Sequence, residues 1–241
     1  LARQLRHFVA EPSACAYLPD REASLEYRLM IDVSPEELDH LLERGWRRFG
    51  PAYFRPKCAS CSECVPLRVS PIAFRPSKQQ RRAWNKCNGL RLEVGMPRID
   101  DERLQLYKMW HAMQGEARGW VRESITEEEY YHQFAFPHPS VRELAYYDDT
   151  KLVCLSIVDE TPTALSAVYT YHHPDYRKLS LGTYSILFQL SLAADANKSF
   201  VYLGYRVLGC KSSEYKARFR PHEILVGWPA FDESPRWDAV T

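Results

Sequence analysis

Residues 164–205 run Ala164-Leu-Ser-Ala-Val-Tyr-Thr-Tyr-His172, then His-Pro-Asp-Tyr-Arg177-Lys178-Leu-Ser180. They continue Leu181-Gly-Thr-Tyr-Ser-Ile-Leu-Phe-Gln-Leu-Ser-Leu-Ala-Ala-Asp-Ala196 and, after a short loop, Phe200-Val-Tyr-Leu-Gly-Tyr205. The first stretch is rich in β-branched and aromatic residues and reads as a strand. Pro174 interrupts it, and the long apolar segment from Ser180 to Ala196, with Gly182 in its first turn, reads as a helix. Phe200–Tyr205 is a second strand. Backbone N–H groups at such a helix start can hold a phosphate or an acyl-donor oxygen, so Ser180, Leu181, Gly182 and Thr183 form a candidate donor loop.

Upstream, Glu143–Tyr147 and Lys151–Val158 are two further β-like runs, with turns at Asp148-Asp149 and Glu160-Thr161-Pro162. Before them, residues 101–117 and Thr126–Phe134 carry apolar residues at helical spacing. Downstream, Glu214–Phe219 predicts a short helix and Ile224–Trp228 a last strand. The N-terminal third mixes short strands and helices. Ser34-Pro35-Glu36-Glu37 is a capping box with Pro at the first helical position, and Gly45 closes that helix. Residues 46–54 read as extended, Leu67–Val69 and Leu90–Val94 as strands, and Ser77–Lys86 as a helix ended by Asn88-Gly89. The plan is α+β. It divides into a smaller mixed α/β part, residues 1–96, and a second part, residues 97–241, with the strand–loop–helix order of the GNAT acyltransferase fold. In that fold the acyl donor lies between two splayed strands, here 165–172 and 200–205.

An apolar content of 45% with 26% charged residues excludes collagen-like and disordered classes. No apolar run approaches the roughly 18 residues that span a bilayer, so no membrane association is expected. No secretory segment opens the sequence, although a chain beginning at Leu1 leaves room for a short leader upstream. The net charge of +1 hides an asymmetry: residues 44–91 hold twelve Lys or Arg against one acid, Glu63. That block reads as a footprint for a polyanion. Within it, Lys78, Arg81, Arg82 and Lys86 share a helix face beside Arg75, an expected nucleic-acid-binding surface.

Seven cysteines, an odd count, do not tile the chain like a disulfide framework and point to a reducing, cytoplasmic setting. Cys58, Cys61 and Cys64, at three-residue spacing, can turn around a soft metal, with Cys15 as the fourth ligand and Cys87 in reserve. Zinc, an iron–sulfur cluster and unligated thiols all remain open on spacing alone. Cys154 is expected in the core and Cys210 as an inert thiol.

Several motifs together carry a resemblance. Cys15-Ala-Tyr-Leu-Pro19-Asp-Arg21, Cys58-x-x-Cys-x-x-Cys64-Val-Pro-Leu-Arg68-Val and Phe74-Arg-Pro-Ser77-Lys-Gln-Gln-Arg-Arg82 resemble the N-terminal part of bacterial aspartate/glutamate leucyltransferases. Leu165–Tyr171, Ser180-Leu-Gly-Thr183, Tyr202-Leu-Gly-Tyr-Arg-Val207 and Tyr215-Lys-Ala-Arg-Phe-Arg-Pro221 are similar to their C-terminal part. These enzymes are relatives of the eukaryotic arginyl-tRNA–protein transferases. The resemblance implies transfer of leucine from leucyl-tRNA to proteins beginning with Asp or Glu, marking them for degradation. Arginine as the transferred group is the nearer alternative. An acetyl-CoA-dependent enzyme or a non-enzymatic RNA-binding module is more distant. The resemblance makes the Arg75, Lys78, Arg81, Arg82 and Lys86 face the expected tRNA-binding surface, with Lys211 and Lys216 holding the acceptor end near the chemistry. The chain departs from the eukaryotic relatives at Cys15-Ala-Tyr-Leu18, where they have Cys-x-x-Cys, and from the leucyltransferase pattern over Arg206–Ser213.

An aminoacyl ester is already activated, so no cofactor is required for the chemistry. The protein has to position the amine and stabilise an oxyanion. Tyr171 and Tyr205, ending the two splayed strands, are the first candidates to orient the amine or relay its proton, and His172 the second. Reading an acidic acceptor residue calls for an Arg that grips a carboxylate bidentately, for which Arg206, Arg218 and Arg220 are the candidates.

Overall fold

The computed structural model describes residues 1–118 and 125–241. The chain opens with β1 (Arg3–Val9), β2 (Ser13–Ala14), β3 (Glu22–Ala23) and β4 (Leu25–Ile31), followed by α1 (Pro35–Glu43). Next come β5 (Arg47–Phe49), β6 (Ala52–Pro56), β7 (Cys64–Val69), α2 (Lys78–Lys86) and β8 (Arg91–Gly95). The helices α3 (Asp101–Arg118) and α4 (Glu127–Tyr130) precede the β-meander β9 (Val141–Asp148), β10 (Lys151–Glu160) and β11 (Ala164–His172). Then α5 (Leu181–Asp195), β12 (Phe200–Val207), α6 (Lys211–Glu214), β13 (His222–Leu225) and β14 (Trp237–Val240) complete the chain. The capping box at Ser34 forms as expected and the structure adds a second at Ser77, each worth about 1 kcal/mol of helix stability. Gly45, at φ +80°, ends α1 in the left-handed region. The helix expected over Thr126–Phe134 continues beyond α4 as one π-type turn, Tyr131–Ala135.

Two sheets carry the molecule. One has four antiparallel strands in the order β1-β4-β6-β5. The other has eight, in the order β14-β13-β7-β12-β11-β10-β9-β8. Every neighbouring pair in the larger sheet is antiparallel except β11 with β12, which α5 connects in parallel. The expected α+β class and GNAT-like arrangement are therefore present. The boundary at 96/97, however, does not separate two sheets: β7 and β8 hydrogen-bond to strands from beyond residue 97. The strand 237–240 was not expected; it pairs with β13 at the sheet edge.

Helix α5 is buried nearly all round, as its apolar sequence requires. Ile186, Leu187 and Leu190 pack on Leu165, Val201 and Leu203 of the sheet, while α2 covers its outer side through Trp84 stacked on Phe188. The opposite sheet face receives α1 through Leu38, Leu41, Leu42 and Trp46 against Ala164 and Tyr202. Helices α3 and α4 seal the meander with Leu106, Tyr107 and Tyr130 against Leu155, Ile157 and Tyr171.

Part of the basic block is internal. Arg47, Arg48 and Arg55 are buried, and Arg68 pairs with Glu223 across the β7–β13 ladder. None of these four guanidiniums lies on the surface for a polyanion, and three of them, Arg48, Arg55 and Arg68, are paired with carboxylates. Arg48 of β5 docks its Nε–Nη2 edge on the Asp159 carboxylate of β10, joining the small sheet to the large one. Both partners are almost wholly enclosed. Asp159→Asn keeps the shape and leaves the guanidinium without its counter-charge, so it should destabilise the fold by about 3–5 kcal/mol in denaturant melts. A loss under about 1 kcal/mol would mean that the pair does not join the sheets.

Candidate active site

The strands β11 and β12 pair only at Ala164–Phe200, Leu165–Val201 and Ser166–Tyr202. Beyond Ser166 they part, because β11 stays paired with β10 as far as His172 while β12 follows β7 and bulges between Tyr202 and Tyr205. Gly204, at φ +79°, takes the bulge in a conformation that side chains rarely adopt. The opening is a groove of about 450 Å³. It is lined by Ala167–Thr170, His172, the loop Ser180–Thr183, Leu203, Tyr215 and Lys216, with Tyr17, Trp110 and Gln114 at its walls.

The expected donor loop is thus part of the groove. Ser180 takes φ +61° to enter α5, and its side chain does not cap the helix. The first-turn N–H groups that a helix leaves without internal partners therefore meet no capping side chain at the groove. A Cβ on Gly182 would meet nothing within 4 Å, so the backbone there is open to close approach.

His172 lines the groove with its ring against Trp110 at 4.3 Å. Its Nδ1 lies 3.1 Å from His173 O. A carbonyl only accepts, so Nδ1 carries the proton and Nε2 keeps a free lone pair. Burial holds the imidazole below its ordinary pKa, and it is neutral at pH 7. This is the state of a general base.

The two tyrosines ranked ahead of it lie elsewhere. Successive strand residues face opposite sides, and Tyr171 points into the core, where its hydroxyl meets that of Tyr130 at 2.7 Å. Tyr205 follows the bulge, donates to Gly45 O at 2.8 Å and lines a different cavity. Burial raises the pKa of both far above the ordinary phenol value. Neither hydroxyl reaches the groove.

Nor do Arg206, Arg218 and Arg220 line it. Arg206 lies opposite Val65 in the β12–β7 ladder, Arg218 is exposed, and Arg220 donates to the Thr241 carbonyl. Lys216 does line the groove, but as a half-buried group donating to Tyr205 O at 3.1 Å rather than as an exposed phosphate contact. Burial, then Arg47, lowers its pKa to about 8. The side chain of Lys211 lies outside the described residues.

Lys78, Arg81, Arg82 and Lys86 are all exposed on α2, and Arg75 is exposed with its guanidinium on the Ile72 and Phe74 carbonyls. Lys86 Nζ donates to Lys178 O at 3.0 Å, tying the basic helix to the turn that leads into Ser180. The basic surface is therefore continuous with the donor loop through Arg177 and Lys178, which are exposed.

Cys15, Cys58, Cys61 and Cys64 surround a second cavity of about 370 Å³, with Tyr17 shared between it and the groove. Backbone N–H groups of Tyr17 and Leu18 approach Cys15 Sγ at 3.4 Å, Ser24 N approaches Cys58 Sγ at 3.5 Å, and Arg21 donates to Cys61 Sγ. Burial, then the neighbouring thiols, pushes Cys64 up to about 12. Thiolate donors suit zinc or iron–sulfur chemistry, but among the described residues no three Cys, His, Asp or Glu stand at ligating spacing. Cys87 is in the core beside α5 and Cys154 in the meander, away from this cavity.

Family comparison accords with this geometry. Residues 13–82 match the N-terminal region of the arginine-tRNA-protein transferases, and residues 102–226 match their C-terminal region. The chain belongs to the arginine-tRNA-protein transferase family. Within it, the chain is 34% identical to an aspartate/glutamate leucyltransferase of Campylobacter jejuni, over 93% of this chain and 95% of that protein. It is also 34% identical to one of Pseudomonas entomophila, over 94% and 95%. A solved GCN5-related N-acetyltransferase from Kribbella flavida overlays with TM-score 0.35 and 13% identity, over 61% of this chain and 55% of that one. The protein is an aminoacyl-tRNA–protein transferase, and among its described residues no helix is long and apolar enough to cross a membrane.

Sequence reasoning missed Trp110 and Gln114, which sit far from Ser180–Thr183 in the chain and carry no motif of their own, and it quoted Tyr17 only within the Cys15–Arg21 motif without placing it at the groove. The placements of Tyr171 and His172 invert their expected ranking, and a pair of variants tests this. His172→Gln should lower transfer by on the order of a hundredfold without changing the melting temperature. Tyr171→Phe should leave kcat unchanged and cost about 1–3 kcal/mol of stability, since it strands the Tyr130 hydroxyl. Full activity in His172→Gln would remove it from the mechanism.

Proposed function

We propose that this protein transfers leucine from leucyl-tRNA to the N-terminus of proteins that begin with Asp or Glu. The observation that carries the reading is the groove between β11 and β12. It joins a helix start suited to an acyl-ester oxygen, a neutral histidine and a basic path from α2. The names of the relatives supply the leucine donor and the acidic acceptors.

The aminoacyl ester lies along the splay with its carbonyl near the first turn of α5, and the acceptor amine enters near His172. Attack forms the C–N bond, and the carbonyl π electrons move to oxygen, where the first-turn N–H groups stabilise the charge. Collapse breaks the ester C–O bond. The proton lost by the amine passes through His172 Nε2 to the departing ribose oxygen. Ester and amine become amide and alcohol, with no redox change and no cofactor. An α-amine near pH 7 is partly neutral already, so a base of ordinary strength suffices. The exposed cations of α2, with Arg177 and Lys178, would follow the phosphates of the acceptor stem. All seven cysteines are free thiols, which fits a reducing, cytoplasmic setting, and the thiol cavity is kept as a candidate metal site outside the reaction.

The test is incubation with an Asp-initiated peptide and bulk charged tRNA carrying labelled leucine or arginine. A mass gain of leucine is expected, with a rate falling steeply between low and moderate salt. Gain of arginine would replace the donor, and gain of neither by folded protein would remove the reading. Lys78→Ala, Arg81→Ala and Arg82→Ala combined should weaken tRNA binding and flatten the salt slope.

A further inference from the structure

Two neighbouring cations, Arg47 and Lys216, form no salt bridge among the described residues. Arg47 is 7% exposed, and its Nε and Nη2 are buried without a hydrogen-bond partner among the described residues. Its Nη1 donates to Trp46 O at 3.3 Å, and its face rests near the rings of Tyr202 and Tyr205. The neighbouring buried arginines differ. Arg48 turns the same Nε–Nη2 edge to Asp159, and Arg55 turns its Nε to Glu26. Lys216 adds a second positive charge, with Tyr205 O as its acceptor.

Both cations converge on the bulge. A Cβ at Gly204 would stand 3.3 Å from Lys216 Nζ and 3.9 Å from Arg47 Nε. Burying an unpaired charge is costly, and two like charges side by side more so, unless an anion completes the site. The free edge of Arg47 is a pair of parallel N–H donors, the geometry that a carboxylate takes bidentately. Lys216 lies on the wall of the donor groove, so an anion touching it from the groove is next to Arg47.

We propose that Arg47 and Lys216 form the subsite that reads the side-chain carboxylate of the acceptor's first residue, seated over Gly204. This rests on the transfer reading above and assigns its acceptor specificity. In Asp or Glu the carboxylate is two or three bonds from the α-carbon. A carboxylate held at the bulge therefore leaves the α-amine in the mouth of the splay, where the ester carbonyl and His172 meet. Asn or Gln there presents an amide N–H₂ to two cations that only donate.

The experiment measures kcat/KM for peptides that differ only in the first residue, Asp against Asn and Glu against Gln. Wild type should favour the acids. In Arg47→Gln the Asp/Asn ratio should fall by on the order of a hundredfold, and in Arg47→Lys, which keeps charge without the fork, by less. An equal loss on both peptides, or an unchanged ratio, overturns the subsite. Lys216→Met, read by the same ratio, covers the case in which Arg47→Gln does not fold. Calorimetric titration of the same peptides separates this proposal from the transfer reading. Wild type that transfers to neither peptide, yet binds the Asp peptide more tightly than the Asn peptide in an Arg47-dependent way, retains the subsite and discards the transfer. Equal binding of the two peptides discards the subsite.

Discussion

Everything that the site does depends on one parallel strand pair that does not stay paired. β11 and β12 share three residue pairs and then diverge. Each strand has a better partner on its outer side: β10 holds β11 as far as His172, and β7 holds β12 as far as Val207. The backbone groups freed on the facing edges would be a liability inside a core, since an unpaired buried N–H or C=O costs about 1–3 kcal/mol. The fold leaves them at a groove, where a bound ester and the acceptor's amide groups can meet them. The bulge at Gly204 makes the divergence possible. A left-handed residue there turns β12 without a side chain in the gap.

A second constraint is how the opened sheet stays rigid. Buried ion pairs bolt the layers on either side of the splay: Arg48–Asp159 between the two sheets, Arg55–Glu26 within the small one, and Arg103–Glu143 between α3 and β9. Such pairs add little net stability over apolar contacts, but breaking one is costly, so they favour a single arrangement of the layers. That rigidity suits a site whose catalysis is mostly positioning. Arg47 belongs to the same belt of arginines but makes no salt bridge among the described residues, which is why it stands out as a ligand group rather than a bolt.

Elements were legible in the sequence where local rules act. The capping box at Ser34, the helix start at Ser77, the turns at Asp148-Asp149 and Glu160-Thr161-Pro162, and the apolar α5 all fall within one or two residues of their expected bounds. The loop Ser180–Thr183 was legible as the entry to α5 because a helix start is a local object. What sequence could not supply was facing and burial. Tyr171 and His172 are adjacent, and a strand turns them to opposite sides. Which one meets the groove depends on β10 pairing and the docking of α3. The basic block read as one surface because charge alone does not separate Arg81, in water, from Arg48, whose partner is 111 residues away. Arg206 seemed close to the chemistry through its neighbours in the chain. The bulge turns it into the β7 ladder, while Arg47, more than 150 positions earlier, arrives beneath the splay.

The electrostatics of the site favour the order of events that aminolysis needs. A peptide N-terminus in water is mostly ammonium below its pKa of about 8 and cannot attack. Inside the splay it would face the Arg47 and Lys216 cations and a neutral imidazole, with one carboxylate already shared between the two cations. The residual positive charge disfavours the ammonium, and desolvation disfavours it further. Both effects push the amine toward its neutral form as it docks. An acceptor lacking the carboxylate loses its anchor and leaves the two cations uncompensated, so the same charges that select the acidic residue also prepare its amine. Specificity and activation then share one cause, the excess of positive charge beneath Gly204.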